Sequence, residues 1–350
     1  MKLKVGLVRG DGIGPEIIES TLKVLDKVLK DTDKSIDYQE LIAGGVSLDK
    51  YGVPLTDDTI VQAKQCDAIL LGAVGGPKWD NLEGHLRPER ALLGLRKELN
   101  LFANIRPVKL FEALRHRCLL KEAGNIDIVI VRELTGGIYF GKRGREMTEN
   151  GQVAFDTETY SEMEIERIGR VAFDYAMLRR KKLTSIDKAN VLESSRLWRE
   201  TMHKLAKEYG EVEYSDMLVD NAAMQLIRNP MQFDVIVASN MFGDILSDEA
   251  SQLTGSIGLL PSSSLGQGKM GLYEPIHGSA PDIAGKNMAN PVATILSAAM
   301  MLEYSFGMQE EADEIVKAVE KALSTGMLTK DLGGDLSSDQ MTKAILDNIA

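Results

Sequence analysis

Hydrophobic positions along the chain follow two periods in alternation. Short runs rich in Val, Ile and Leu, at residues 4–8, 68–73, 126–131, 217–219 and 233–238, read as strands. Between them lie longer stretches with apolar residues three and four apart, the period of a helix with one buried face. Ile18, Leu22, Leu25 and Leu29 form such a stripe after Pro15, and the same spacing predicts helices over 89–99, 162–179, 194–208, 241–253, 290–306 and 310–324. Strands alternating with helices make an α/β protein. Residues 136–160 break the pattern, with glycines, charges and Thr around short extended pieces and no helical period. Loops of that length are uncommon in compact domains, so the segment reads as a surface loop or a projecting β-arm that pairs with another subunit. A Gly- and Ser-rich segment, 254–271, reads as a mobile connection.

Length and charge narrow the picture. A chain of 350 residues has room for two domains, and 44% hydrophobic with 27% charged residues is ordinary for a globular protein. The formal charge of −11 argues against a general nucleic-acid or anionic-membrane binder. It also makes any local gathering of arginines informative. No apolar run is long enough to span a membrane, and the first ten residues lack the apolar stretch of a signal peptide. Cys66 and Cys118 lie far apart and suit unpaired thiols in a reducing cytosol, so a cytoplasmic location is expected.

Several segments carry candidate chemistry. Arg-Gly-Asp-Gly-Ile-Gly-Pro at residues 9–15 is a glycine-rich strand-to-helix turn, a place where backbone N–H groups can approach an anion. Pro15 breaks the GxGxxG spacing and no Walker lysine follows, so alone it reads first as a tight turn. In the helix over 89–99, Glu89, Leu92, Leu93 and Arg96 share one face, with charge at the ends and branched aliphatics between. That face matches a substrate with a carboxylate beside an isopropyl group, and equally a core seam with salt-bridged ends. Arg106 and Arg132 each end an apolar run that reads as a strand. With Arg96 they make three arginines able to grip a dicarboxylate through planar forks.

Within residues 240–248, Asn240 can cap a helix, and Asp244 and Asp248 stand one turn apart on one face. Phe242, Leu246, Ala250 and Leu253 fall on the opposite face. Two carboxylates so placed repel each other unless a cation sits between them, and hard oxygen ligands suit Mg²⁺ or Mn²⁺; a solvated acidic face is the plainer alternative. Asp220, after another strand, is a candidate third ligand. Lys188, held near a metal and arginines, is a candidate base, and Tyr139 precedes the proposed arm. The loop from Glu274 to Gly285, followed by Asn290-Pro, contains His277 and Asp282. A carboxylate there can accept from both ribose hydroxyls of an adenosine and repel a 2′-phosphate, favouring NAD over NADP.

Three long motifs carry a resemblance. Asn240 to Ala250, continuing through Leu253-Thr-Gly-Ser-Ile-Gly-Leu, is the strongest; Gly72 to Asp80 and Asp187 to Glu193 are the others. Together they resemble the isocitrate/isopropylmalate dehydrogenase family of β-hydroxyacid oxidative decarboxylases, over nearly the whole chain. The resemblance implies a two-domain α/β fold with a mixed central sheet and not a standard Rossmann fold. Domain 1 would combine 1–99 and 253–350 and bind NAD; domain 2 would span 100–252, with the arm at about 136–160, and hold substrate, metal and the dimer contact. It further implies NAD-dependent oxidation and decarboxylation of 3-isopropylmalate to 4-methyl-2-oxopentanoate in leucine biosynthesis, by a homodimer.

The roles it implies fall on matching positions. Arg96, Arg106 and Arg132 would hold the malate carboxylates, Leu92 and Leu93 would line the alkyl pocket, and Glu89 would lie near the nicotinamide. Asp244 and Asp248 would bind Mg²⁺ or Mn²⁺, with Asp220 and Lys188 reaching in from the partner subunit. Lys188 would take the hydroxyl proton and Tyr139 would protonate the enol. Glu274, His277, Gly278, Ser279, Ala280, Asp282, Ile283 and Asn290 would surround the cofactor. Ala91 stands where the family more often has glycine. Isocitrate, homoisocitrate and tartrate are the rival substrates, but Leu92 and Leu93 would offer a third carboxylate only hydrocarbon. From other classes, a Mg²⁺-dependent phosphate-ester hydrolase would need no nicotinamide and would leave the Glu274 loop unexplained, and a non-catalytic binding protein would show no turnover.

Overall fold

A computed structural model describes residues 2–121 and 124–350. In chain order come β1 (Lys2–Gly10), α1 (Gly14–Val28), β2 (Ser35–Glu40), α2 (Gly45–Tyr51), α3 (Asp57–Ala63), β3 (Ala68–Ala73) and α4 (Glu89–Glu98). The middle holds β4 (Ala103–Lys109), β5 (Asp127–Glu133), β6 (Arg143–Thr148), β7 (Gly151–Asp156), α5 (Glu162–Leu178), β8 (Lys182–Asp187) and α6 (Glu193–Ala206). Then follow β9 (Glu213–Leu218), α7 (Val219–Arg228), β10 (Val235–Ala238) and α8 (Asn240–Ser251). The chain finishes with β11 (Pro261–Leu265), β12 (Gly271–Pro275), α9 (Val292–Tyr304), α10 (Gln309–Ser324) and α11 (Ser338–Leu346).

These elements form two compact units. Unit 1 comprises Met1–Leu101, Leu110–Leu119 and Thr254–Ala350; unit 2 comprises Phe102–Lys109 and Leu120–Leu253. In unit 1 the strands neighbour one another in the order β2-β1-β3-β12-β11. All pairs are parallel except β11 with β12. Every residue of β3 is buried, as a strand covered on both faces requires. Helix α9 is buried from Val292 through Leu302 and packs on β11, β12 and α1, a helix apolar all round because it lies inside the unit.

Unit 2 has the order β4-β5-β10-β8-β9, with β4 antiparallel to β5 and the rest parallel. Mixed strand directions and these orders set both units apart from the 3-2-1-4-5-6 arrangement of the ordinary dinucleotide fold. Residues 136–160 contain a hairpin in which β6 pairs with β7, from Arg143 opposite Asp156 to Thr148 opposite Gly151. Among the described residues, no helix is long and apolar enough to cross a membrane.

Three expectations are corrected. Segment 254–271 is not a loose connection: it holds a short 3-10 turn and β11, whose residues Pro261 to Ser264 are buried. Its serines read as loop because their hydroxyls are polar, but Ser262 Oγ donates to the Glu274 carbonyl at 3.1 Å and so satisfies itself inside the sheet. The strand expected at 217–219 begins earlier, at Glu213, and Val219 already belongs to α7. Asn240 does not cap α8 by its side chain; Ser239 occupies that position and the Asn240 amide is turned to other partners.

Candidate active site

The first turn of the chain organises unit 1 rather than cradling an anion. Gly10 and Gly12 have φ of +72° and +57°, and a Cβ on either would meet the Ala73 or Ser279 carbonyl at 1.8 or 2.0 Å. The N–H groups of Asp11, Ile13 and Gly14 are all bonded within the protein. Asp11, 4% exposed, accepts from the backbone N–H groups of Gly45, Val46 and Gly75. Burial raises its carboxyl above the usual range while those three donors pull it down.

Unit 2 gathers five of the anticipated residues. Arg132, near the end of β5, and Arg106, in β4, are 3% and 6% exposed. Helix α8 leaves β10 at Asn240 and crosses directly over Arg132; a Cβ at Gly243 would sit 2.8 Å from the Arg132 side chain, so glycine allows the approach. Arg132 Nη1 donates to Asp244, and Arg106 Nη1 lies 3.3 Å from Asp244 and 3.7 Å from Asp248. Arg106 is held in place by Asn104 and Ser247, each at 2.6 Å. Neither of these was singled out from the sequence, since a short polar residue becomes a partner only once strand and helix meet. Phe242, Leu246 and Ala250 are buried on the far side of α8, and Leu253 just beyond its end, which leaves Asp244 and Asp248 on the open face. Burial lifts the Asp248 carboxyl, Arg106 opposes it, and the Asp244 charge adds to it.

Tyr139 donates to the other oxygen of Asp244 at 3.1 Å, with the Arg132 guanidinium 5.8 Å from its ring centre. Burial first, and then the Asp244 charge, raise the phenol above its ordinary value, so it stays protonated. On the same unit, Lys188 follows β8 and Asp220 lies in the first turn of α7. Their side chains meet at 2.6 Å, and Lys188 holds the Asp220 carboxyl below its usual range. The backbone of Lys188 donates to Ser195 Oγ, and the preceding Asp187, 1% exposed, takes both arms of the Arg199 fork at 2.8 Å. Among the described residues no three carboxylates, histidines or cysteines cluster as a complete metal site. Asp244 and Asp248 therefore form a pair without Asp220.

Unit 1 carries the rest. On α4, Glu89 is exposed, Leu92 and Leu93 are half-buried, and Arg96 is 5% exposed. Leu92 packs partly against the core around Val8, Leu71 and Leu95. Arg96 Nη2 bonds Glu274 in β12 at 2.8 Å, and its Nε, also buried, has no partner. Glu274 thus lies against an arginine and is not among the residues lining the cavity beside the loop that follows it.

A cavity of about 590 Å³ opens beside the loop after β12, the size range of small-ligand sites. His277, Gly278, Ala280, Ile283 and Asn290 line it, as do Ile13, Ser256, Ile257 and Asp331, which the sequence reading did not place around the cofactor. Ser279 turns its hydroxyl to the Gly75 carbonyl at 2.8 Å, and exposed Asp282 is not among the lining residues. His277 Nδ1 meets the Gly278 carbonyl at 2.9 Å, leaving its buried Nε2 without a protein partner. Burial holds this imidazole below its ordinary pKa. Asp331 accepts from Asn290 at 3.0 Å and from Ser256 at 2.6 Å, fixing two walls of the cavity. Its distance in sequence, 41 residues from Asn290, hides that link until the chain folds.

The family model described as "Isocitrate/isopropylmalate dehydrogenase" matches residues 4–349. A 3-isopropylmalate dehydrogenase of Clostridium acetobutylicum is 57% identical over 343 residues, 97% of this chain and 96% of the relative. One from Halalkalibacterium halodurans is 53% identical over 355 residues, covering 100% of this chain and 97% of the relative. Among solved structures, isocitrate dehydrogenase from Methylococcus capsulatus is similar with a TM-score of 0.89 and 36% identity, over 99% of both chains.

Proposed function

Because the chain belongs to the isocitrate/isopropylmalate dehydrogenase family, we propose that it oxidises and decarboxylates 3-isopropylmalate to 4-methyl-2-oxopentanoate, with NAD and Mg²⁺ or Mn²⁺, in leucine biosynthesis. The observation that carries the reading is the convergence of Arg106, Arg132 and Tyr139 on Asp244, beside Asp248. Two buried guanidinium groups facing outward carboxylates make a place where an anionic substrate and a divalent cation balance one another's charge. Asp244 and Asp248 supply the hard oxygen donors such a cation needs, and the unpartnered Nε2 of His277 offers an acceptor to an adenosine. A cation held by Asp244 and Asp248 would supply electrophilic charge toward the substrate's hydroxyl oxygen, and a nicotinamide would supply the hydride acceptor.

The chain's own residues do the remaining work. Arg106 and Arg132, with Arg96, orient the two malate carboxylates, so that the reacting carbon is presented in one pose. Lys188, in its neutral amine form, accepts the proton of the C2 hydroxyl as that carbon becomes a carbonyl. Loss of CO₂ from the β-keto carboxylate leaves an enolate, and Tyr139, held protonated by its burial, delivers the one proton needed at C3. Leu92 and Leu93 pack against the isopropyl branch, and Glu89 borders the nicotinamide. His277, Gly278, Ala280, Ile283 and Asn290 receive the adenosine, with Ser279, Asp282 and Glu274 in or beside the same loop.

The reading includes a cytoplasmic homodimer. Lys188 pairs with Asp220, and among the described residues Asp220 does not cluster with Asp244 and Asp248 as a metal site, which supports their use in a partner's site. Exposed apolar residues favour a contact on unit 2: Met224 and Ile227 on α7, Ile245 on α8, and Met147 and Val153 on the hairpin. The likeness to an isocitrate dehydrogenase makes isocitrate the second substrate to try, although two leucines suit an alkyl branch better than a third carboxylate. The test is reduction of NAD by the purified protein with Mg²⁺ and either acid. Turnover with 3-isopropylmalate alone supports the proposal; turnover with isocitrate alone keeps the family and removes the substrate; silence with both removes the activity.

A further inference from the structure

Asn240, 1% exposed, sits where three parts of unit 2 meet. Its Oδ1 accepts from Arg132 Nε at 3.1 Å and Nη2 at 2.8 Å, and its Nδ2 donates to the Gly136 carbonyl at 3.2 Å. A guanidinium only donates and a carbonyl only accepts, so the amide has one permitted orientation and must be both acceptor and donor. Aspartate lacks the donor, leucine lacks both, and serine is too short to span the two.

Gly136 immediately precedes the 3-10 turn Gly137–Tyr139 that carries the phenol. That turn is boxed in by Tyr160: a Cβ on Gly136 would meet the Tyr160 ring at 2.6 Å, and Gly137 has φ +76°. The Tyr160 hydroxyl in turn accepts from the Asn240 backbone at 2.9 Å, and Glu133 accepts from the Gly136 backbone at 2.7 Å. With Arg132 and Tyr139 both bonded to Asp244, the contacts close a circuit from Asn240 through Arg132, Asp244 and Tyr139 back to Asn240.

We propose that Asn240 is a positioning residue which sets the Arg132 fork and the Tyr139 turn in one register, so that substrate grip and proton delivery are aligned together. This rests on the activity proposed above. A shift of about 1 Å at a reacting group can cost about a hundredfold in rate.

The test measures kcat, KM for 3-isopropylmalate, KM for NAD and the melting midpoint of wild type, Asn240→Ala and Asn240→Asp. Alanine is expected to lower kcat about tenfold to a hundredfold and raise KM for the malate severalfold, with KM for NAD unchanged. Aspartate restores an acceptor without the donor and is expected to recover no more of kcat than alanine. A lower melting midpoint with both kinetic constants at wild-type values would mean a structural role only and overturn the inference. Full recovery of kcat by aspartate would overturn the link to Gly136. Should alanine fail to fold, Asn240→Ser serves with the same readings. A wild type silent with every malate would remove the parent activity and this inference with it, whereas an active wild type beside an unaffected variant removes the inference alone.

Discussion

Lys188 Nζ donates to Asp220 Oδ1 at 2.6 Å, and among the described residues Asp220 does not join Asp244 and Asp248 of its own chain in a metal-holding cluster. The proposed homodimer would bring this base and carboxylate into the partner's site, and two-fold symmetry would offer that site twice. Subunit complementation tests it. Lys188→Met and Asp248→Asn should each be inactive as homodimers. Unfolded and refolded together in equal amounts, they should regain about a quarter of wild-type activity, because half the dimers are mixed and each mixed dimer has one intact site. If the mixture stays as inactive as its components while native electrophoresis shows mixed dimers, both residues act within one chain.

The Arg96–Glu274 pair, with side chains 6% and 9% exposed, makes a second prediction. Removing one partner of a buried ion pair leaves the other charge unpaired, at a cost of about 3–5 kcal/mol. Glu274→Ala should therefore lower stability by about that amount in urea unfolding. A dianionic substrate can replace the missing charge, so saturating 3-isopropylmalate should raise the variant's melting midpoint by more than it raises the wild type's. Equal midpoints for variant and wild type would show that Glu274 is not the partner that matters to Arg96.

Of the residues that meet around Asp244, Arg132 was readable as the close of an apolar run and the Asp244–Asp248 pair as one helix face, whereas Arg106, expected to end its strand, lies inside β4, and Tyr139 lies in a short 3-10 turn. The continuous apolar run before it placed Arg132 near the end of β5, and period 3.6 put Asp244 and Asp248 opposite the buried Phe242, Leu246 and Ala250. Their supports were not readable in that way. Asn104, Ser247 and Asn240 act through partners as much as 141 residues away, and a lone amide or hydroxyl carries no sign of such a partner. Strand β11 was hidden for the opposite reason, its serines imitating a loop while bonding backbone inside the sheet. Polar strands at a sheet edge, such as β2 with its sequence Ser-Ile-Asp-Tyr-Gln-Glu, lack the apolar run that marks a buried strand.

Leu93 gives a test of substrate choice that leaves the core nearly intact. Leu92 is partly committed to the core of unit 1, so trimming it would confound specificity with stability. Leu93→Ala is the cleaner change. With each lost methylene contact worth about 1–3 kcal/mol, kcat/KM for 3-isopropylmalate should fall at least about tenfold while that for unbranched malate changes little. Equal losses on both substrates would mean that Leu93 does not touch the alkyl branch.

His277 predicts a dependence on acidity. Burial lowers its folded pKa below the ordinary imidazole value, the Gly278 carbonyl and Asp331 oppose the shift, and Lys330 is the other charged residue lining the cavity. A histidine whose folded pKa is depressed stabilises the protein above the unfolded pKa, and that contribution is lost as pH falls through the folded value. The melting midpoint should therefore decline on acidification from about pH 7 to about pH 5. His277→Gln, which keeps a polar side chain and cannot titrate, should flatten the part of the slope that belongs to this group. NAD affinity should weaken over the same range, because protonation converts the free Nε2 from acceptor to donor just where an adenosine would offer its own N–H or O–H groups. Calorimetric titration of NAD into the wild type and the variant at both pH values separates the two effects. A wild-type affinity that holds constant into acid would mean that Nε2 does not receive the nucleotide, even if the stability slope remains.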